Sequence, residues 1–421
     1  MPTASRPNPD AGPITLLRAG AGSGFAELGP DARPGAVVVL GGGVLAAGAT
    51  SDMERRYLAD AGRVIDRPGE LLMPGFVNAH CHLQLTRIGP RPYTGGFVSW
   101  VEMLRRHWPG EGEPFAKQPS EAWFTQAVRD GTRQSVAAGV QAVGDIIRFD
   151  AEAEARRDGG LGGVSFIELF GHGPPFDEAA RERLAQPAEG FQPHAPYSAG
   201  PDLFAAAADA GPPVSTHLAE TRDELEFVAK GGGPFLELLK APPPKWSDGF
   251  AGNYDAGLSP VRWMESHLRR TPWLLAHCNY VGDDDIALLA ETGASVAYCP
   301  VASEYFGHEN HRYRDMLAAG VNVCLGTDSI VCQPPPDVEP QPLGILPQMR
   351  RLYQRDGTDP ALLLRMATTH GRRALGFDAS VTRLAAVAFD PDDSTDALTQ
   401  ALQSCAPARG IDLTPQPKDT V

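Results

Sequence analysis

Residues 73–83 read Met73-Pro-Gly-Phe-Val-Asn-Ala-His80-Cys81-His82-Leu83, an apolar run of strand length that ends in two histidines two positions apart. Along a strand, residues i and i+2 point to the same side. Both imidazoles can therefore face one space, while Cys81 between them points away and packs. Alone, a His-x-His is a weak signal, because a turn with two polar side chains explains it equally well. It decides the fold because the arrangement recurs down the chain.

Seven more short apolar runs follow: Val140–Ile147, Val164–Phe170, Phe191–Ala195, Pro213–Thr216, Trp273–Ala276, Ala294–Tyr298 and Val321–Leu325. With Met73–Ala79 they make eight. Most are preceded by a helix-like segment, among them Glu121–Ala138, Pro201–Ala210, Asp284–Glu291 and Tyr313–Ala319. Eight β/α units over roughly 300 residues have the size and rhythm of a (β/α)8 TIM barrel. The outer regions have a different texture. Residues 14–72 carry short β-like runs between Gly and Pro, and Ala385-Ala-Val-Ala-Phe returns to strand character before a helix-like DALTQAL. The expected organisation is an α/β barrel over 73–377 and a small β-sandwich domain assembled from 14–72 and 378–421.

Active sites of such barrels lie at the C-terminal ends of the strands. His80 and His82 close the first run, and Glu168 and His172 stand near the end of the third. His194 lies on the fourth, His217 closes the fifth with Glu220 three positions on, and His277 closes the sixth. Cys299-Pro300 ends the seventh run and Thr327-Asp328 the eighth. Six of the eleven histidines fall at these ends, which predicts a metal site. His80, His82, His217 and Asp328 offer three imidazoles and a carboxylate. That set suits Zn²⁺, with Fe²⁺ as the other candidate, and leaves room for a water. A divalent ion lowers the pKa of a bound water to about 7. Glu220 would then serve as proton shuttle, although it could also complement the dipole of the helix that follows. His277 would polarise the water or stabilise the developing charge.

Composition narrows the function. The 421 residues carry 37 Lys+Arg against 52 Asp+Glu, a net charge of −15. This argues against a nucleic-acid surface. No apolar run approaches the ~18 residues of a membrane span, and the N-terminus lacks the apolar core of a signal peptide. The expected compartment is the cytoplasm, and the expected partner is a small-molecule substrate, with a homodimer as the candidate assembly. Six Cys without a CxxC pair make neither a disulfide scaffold nor a Cys zinc finger. Only five Lys are present and none stands near a predicted strand end. A carboxylated Lys bridging two metals is thereby disfavoured, and one metal per chain is expected.

The motifs Met73-Pro-Gly-Phe-Val-Asn-Ala-His-Cys-His-Leu, Pro193-His-Ala-Pro-Tyr, Thr216-His-Leu-Ala-Glu, Ala276-His-Cys-Asn, Tyr298-Cys-Pro and Leu325-Gly-Thr-Asp-Ser occur in this order. Together they resemble the amidohydrolase superfamily, in its mononuclear cytosine-deaminase and chlorohydrolase branch, over about residues 14–405. The resemblance implies His80, His82, His217 and Asp328 as metal ligands, Glu220 and His277 as catalytic groups, and His194 as a substrate contact. Within that branch, Phe97-Val-Ser-Trp100, Leu218-Ala-Glu-Thr, Asp223-Glu-Leu-Glu-Phe and Gly233-Pro-Phe are most similar to aminodeoxyfutalosine deaminases of menaquinone synthesis. The implied reaction is hydrolytic deamination of an amino-substituted heterocycle, a cyclic amidine. Related guanine-, cytosine- or adenosine-type deaminases and chlorohydrolases stand as the alternative. Where nucleoside deaminases of this branch place a ribose-binding Glu, this chain has Val98. Arg87, Arg91 and Arg148 are candidates for a substrate carboxylate, with Arg148 chosen, and Trp100 for stacking on the base. His308 and His311 are expected in a substrate-facing or solvated loop, with a second metal site as the sharper alternative. His370 is expected to be structural. The Pro-rich stretches 241–245 and 332–342 are candidate lids.

Overall fold

The computed structural model describes residues 13–25, 32–93, 95–107, 120–173, 178–211, 213–240, 252–254, 256–377 and 381–413. Two sheets organise it. The larger holds eight parallel strands in sequential order: β5 (Phe76–Cys81), β6 (Val140–Ile147), β7 (Gly162–Leu169), β8 (Gly190–Pro193), β9 (Val214–Leu218), β10 (Trp273–His277), β11 (Ser295–Tyr298) and β12 (Asn322–Leu325). Every residue of β5, β6, β9 and β10 is buried. Parallel strands covered on both faces read as continuous apolar runs, and this is why these eight stood out. The sheet closes where β12 returns to β5. The Thr327 and Asp328 amides both donate to the His80 carbonyl at 3.1 Å, and Cys81 bridges Asp328. Asn78 completes the seam: its Oδ1 accepts from the Thr327 amide at 3.0 Å, and its Nδ2 donates to Thr327 Oγ1 at 2.8 Å. The result is a (β/α)8 barrel.

The smaller sheet has the order β14-β13-β4-β1-β2-β3, built from β1 (Ile14–Gly22), β2 (Gly35–Leu40), β3 (Gly43–Ala49), β4 (Ala61–Pro74), β13 (Arg383–Ala388) and β14 (Arg409–Asp412). Both ends of the chain thus contribute to one curled sheet. Its alternation feeds two apolar clusters. Leu17, Val37 and Val39 enter one, while Leu16, Ala36 and Val38 enter the other.

The run Met73–Ala79 belongs to two strands rather than one. Met73 and Pro74 pair with Ala385 and Leu384 in the small sheet, and the barrel strand begins at Phe76. Gly75 makes the handover. Its amide donates to the Arg383 carbonyl at 2.8 Å, and a Cβ there would lie 2.8 Å from that oxygen and from Gln141 Cβ. Only glycine permits so close an approach. No helix among the described residues is long and apolar enough to cross a membrane.

Candidate active site

The barrel ends bring His80, His82 and His217 together, and His80 also groups with His277 and Asp328; within each group the ligand atoms lie within 4.8 Å of one another. His82 Nε2 and His217 Nε2 are 3.2 Å apart. Asp328 Oδ1 is 3.6 Å from His82 Nε2 and 3.9 Å from His80 Nε2. The His82 and His217 rings stack with a 7° interplanar angle, and His80 stands edge-on to both. Burial pushes His80 and His82 well below the ordinary histidine value, and His217 down to about 4. Neutral imidazoles are the form that binds a metal. Burial also raises Asp328 to about 6, with the Cys332 thiol opposing the shift.

The donor set fits a cation. His217 Nδ1 donates to the His194 carbonyl at 2.9 Å, which leaves Nε2 as a lone pair. Both nitrogens of His80 are buried without a hydrogen-bond partner, an arrangement proteins seldom tolerate. Two ligands each ~2.1 Å from one ion at a tetrahedral angle lie roughly 3.4 Å apart. The spacings above suit that demand. Among the described residues Lys230 and Lys240 end helices, and neither joins these groups.

Glu220 and His277 form an adjoining wall. Both are buried, and Glu220 Oε1 lies 3.6 Å from His277 Nε2. Burial pushes the Glu220 carboxyl well above its ordinary range; the charge of Asp328 adds to this and the Tyr197 hydroxyl opposes it. Such a group can hold a proton near neutral pH. The backbone here is unusual. Ala219, His277, Cys278 and Asp328 have φ values of 50°, 74°, 51° and 58°. Left-handed non-glycine residues persist only where their surroundings hold them, and the holding groups are present. The Glu224 carboxylate accepts from the Ala219 and Glu220 amides, each at 2.8 Å. Asn279 Nδ2 donates to the Glu220 carbonyl at 3.0 Å, and Ser303 Oγ donates to Asn279 Oδ1 at 2.7 Å.

Next to the cluster, His194 follows β8, with its ring 4.8 Å from that of His217. Its Nε2 is 3.7 Å from Glu168 Oε1, and Arg148 Nη2 is 3.6 Å from Glu168 Oε2. Phe170 is 42% exposed, stacks on His194 and lies under the Arg148 guanidinium. Arg148 is thus next to the site. Arg87 instead pairs with Asp130 on the helix Glu121–Ala137, and the Arg91 amide donates to the Val331 carbonyl. Trp100, in the helix Phe97–Arg106, is buried among Phe97 and Phe306 and donates to Tyr305 Oη at 3.1 Å. Burial pushes the Tyr305 hydroxyl up to about 12, and the bond from Trp100 opposes the shift.

His308 and His311 are half-buried, in a loop whose Gly307, Glu309 and Asn310 are exposed, and join no metal-ligand group among the described residues. His308 Nδ1 pairs with Tyr280 Oη at 2.6 Å, and His311 Nε2 lies 2.8 Å from the His277 carbonyl oxygen. His370 Nδ1 donates to the Val323 carbonyl, a structural contact. Of the Pro-rich stretches, 241–245 lies outside the described residues. In 332–342, Cys332 and Gln333 are buried, and Gln333 Nε2 donates to the Thr327 carbonyl at 2.6 Å. Sequence reasoning passed over Glu224, Tyr197 and Asn78. A signal existed for Glu224: Thr221 and Glu224 have capping-box spacing, and Thr221 Oγ1 does accept from the Glu224 amide.

Comparison with known proteins gives a consistent picture. The model of the amidohydrolase family matches residues 71–386. A 5-methylthioadenosine/S-adenosylhomocysteine deaminase of Symbiobacterium thermophilum is 30% identical over 380 residues, covering 83% of this chain and 78% of the relative. An aminodeoxyfutalosine deaminase of Deinococcus radiodurans is 29% identical over 380 residues, 84% of each chain. The crystal structure of Helicobacter pylori aminofutalosine deaminase with methylthio-coformycin superposes with a TM-score of 0.74 at 18% identity, covering 95% of this chain and 99% of that one.

Proposed function

This chain belongs to the amidohydrolase family, and from that premise we propose that it is a metal-dependent aminohydrolase that replaces the exocyclic amino group of a heterocycle by oxygen. The observation that carries the reading is the buried Glu220 carboxyl beside the cluster of His80, His82, His217 and Asp328. Those four side chains would hold one divalent ion, zinc by the chemistry of three imidazoles and a carboxylate. When bound, such an ion supplies the Lewis acidity that makes water a nucleophile near neutral pH.

The residues divide the remaining work. Glu220 accepts the proton of the attacking water and returns it to the ring nitrogen beside the reacting carbon. That carbon becomes tetrahedral, and the amino group leaves as ammonia after a second proton transfer. Water and amidine thus become a ring carbonyl and ammonia. His277, held 3.6 Å from Glu220 Oε1, orients the water and stabilises charge that develops on its oxygen. His194 contacts the ring from the β8 side.

For the substrate, we propose an adenine-like base carried on a group other than plain ribose, such as aminodeoxyfutalosine, whose deamination serves menaquinone synthesis. Val98 packs against the core where a ribose-binding carboxylate would stand. Arg148 with exposed Phe170 offers a cation and an aromatic face suited to an aryl carboxylate. The test is ammonia release by protein of known metal content, comparing kcat/KM for the carboxylate-bearing nucleoside, adenosine and 5′-methylthioadenosine. A preference for either of the last two rejects the substrate assignment. Failure on all three, with turnover of cytosine, guanine or triazines, moves the activity within the family.

A further inference from the structure

His277 stands on a turn that its own conformation does not favour. It and Cys278 both lie in the left-handed region, with φ of 74° and 51°, so the direction of the imidazole depends on what grips the turn from outside. On one side the Cys278 amide donates to the Leu218 carbonyl at 2.9 Å. On the other, His311 Nε2 lies 2.8 Å from the His277 carbonyl oxygen. A carbonyl only accepts, so Nε2 carries the hydrogen and donates it.

His311 is itself fixed. Its ring stacks on Tyr298 with a centroid distance of 3.7 Å and an interplanar angle of 14°. Tyr298 is fully buried at the end of β11, and its hydroxyl accepts from Arg355 Nη2 at 3.0 Å. Arg355 is anchored in turn by Glu304 and Asp356. His311 Nδ1 is buried without a partner. The ring is therefore presented to the protein through one hydrogen bond, and that bond ends on the backbone of His277.

We propose that His311 is a positioning residue for the reaction: clamped between Tyr298 and the His277 carbonyl, it sets the aim of the His277 imidazole toward Glu220. The clamp rests on the reading of His277 as part of the catalytic machinery. It acts from a loop after β11 that supplies none of the metal-ligand groups.

The test compares three variants of the metal-loaded enzyme with deaminase turnover, metal content and Tm as readouts. His311→Phe keeps a flat ring for Tyr298 and removes the donor. Its kcat should fall roughly 10–100-fold, the usual cost of losing a partner that orients an active-site group, while KM, metal content and Tm stay near wild type. His311→Gln keeps an N–H donor and should recover part of the loss. Full turnover by His311→Phe overturns the proposal. So does loss of metal or of folded protein in both His311 variants, which would make the residue a general support. His277→Asn separates the two levels. If it is inactive while His311→Phe is fully active, the clamp alone is wrong. If it is fully active, the role of His277 falls and the clamp with it.

Discussion

The two halves of the candidate active site are held by different means. His80, His82 and Asp328 meet at the seam where the first and eighth barrel strands close, and strand register places them. The Thr327 and Asp328 amides bind the His80 carbonyl, and Asn78 stitches Thr327 from the neighbouring strand. Glu220 and His277 lie at the ends of β9 and β10, next to left-handed turns, and loop hydrogen bonds place them. Glu224, Asn279 and His311 each grip a backbone group there. On the proposed reading, the closed seam together with His217 of β9 would present ligands to an ion, and the gripped turns would present groups that handle protons. Substitutions in the first half should therefore cost the ion, and those in the second should cost rate while sparing it.

The sharpest contrast is expected from Asp328→Ala. It removes the carboxylate from the seam, and elemental analysis should find metal lost, with activity falling to background. The barrel should stay folded, because its stability comes from burial across eight strands. Retention of full metal and activity would break the distinction. Two equivalents of metal in the wild-type protein would instead break the one-ion reading.

Glu220→Gln probes the other half. It should keep its metal and lose turnover by about 10²–10⁴-fold, the span for a removed general acid–base group. Loss of metal would make Glu220 a ligand and merge the two halves. Asn78→Ala should have a smaller effect, since it leaves every chemical group in place. Two buried hydrogen bonds at the seam disappear, for a stability loss of roughly 1–3 kcal/mol, read as a lower denaturation midpoint. Weaker metal retention should accompany it.

The smallest effect concerns a residue outside both halves. His267 is buried near Phe204 and Trp263, and burial lowers its pKa to about 4. The unfolded chain takes up a proton near pH 6.5 that the folded chain refuses. Stability is therefore intact above pH 6.5 and declines as the pH falls toward 4, by at most ~1.4 kcal/mol per unit from this one group. His267→Leu should flatten the acid side of the stability curve without moving kcat. An unchanged slope would show that this histidine titrates normally in the fold.

How much of this could be read in advance follows from what each feature depends on. The eight strands were legible because parallel strands buried on both faces are continuous apolar runs. β6 has the bounds its sequence indicated, whereas Met73–Ala79 spans two strands: Pro74-Gly75 is a local break, but nothing local says that the chain changes sheets there. The residue types of the candidate site were legible too, since histidines and an aspartate recur at strand ends. The grip of Glu224 on Glu220 had a local trace in its spacing from Thr221. That of His311 on His277 had none.

By itself the sequence determined the alternation of strands and helices, the residue types at the strand ends and, through the scarce lysines, one residue type those ends lack. These are properties of neighbours along the chain, set by the periods of helix and strand. Only the tertiary structure decided that Arg148 and His194 share Glu168, that Trp100 is held by Tyr305, and that His311 reaches the backbone of His277. Those partners sit on different strands and loops. Closing the barrel fixes their distances, and no periodicity along the chain encodes a direction across it.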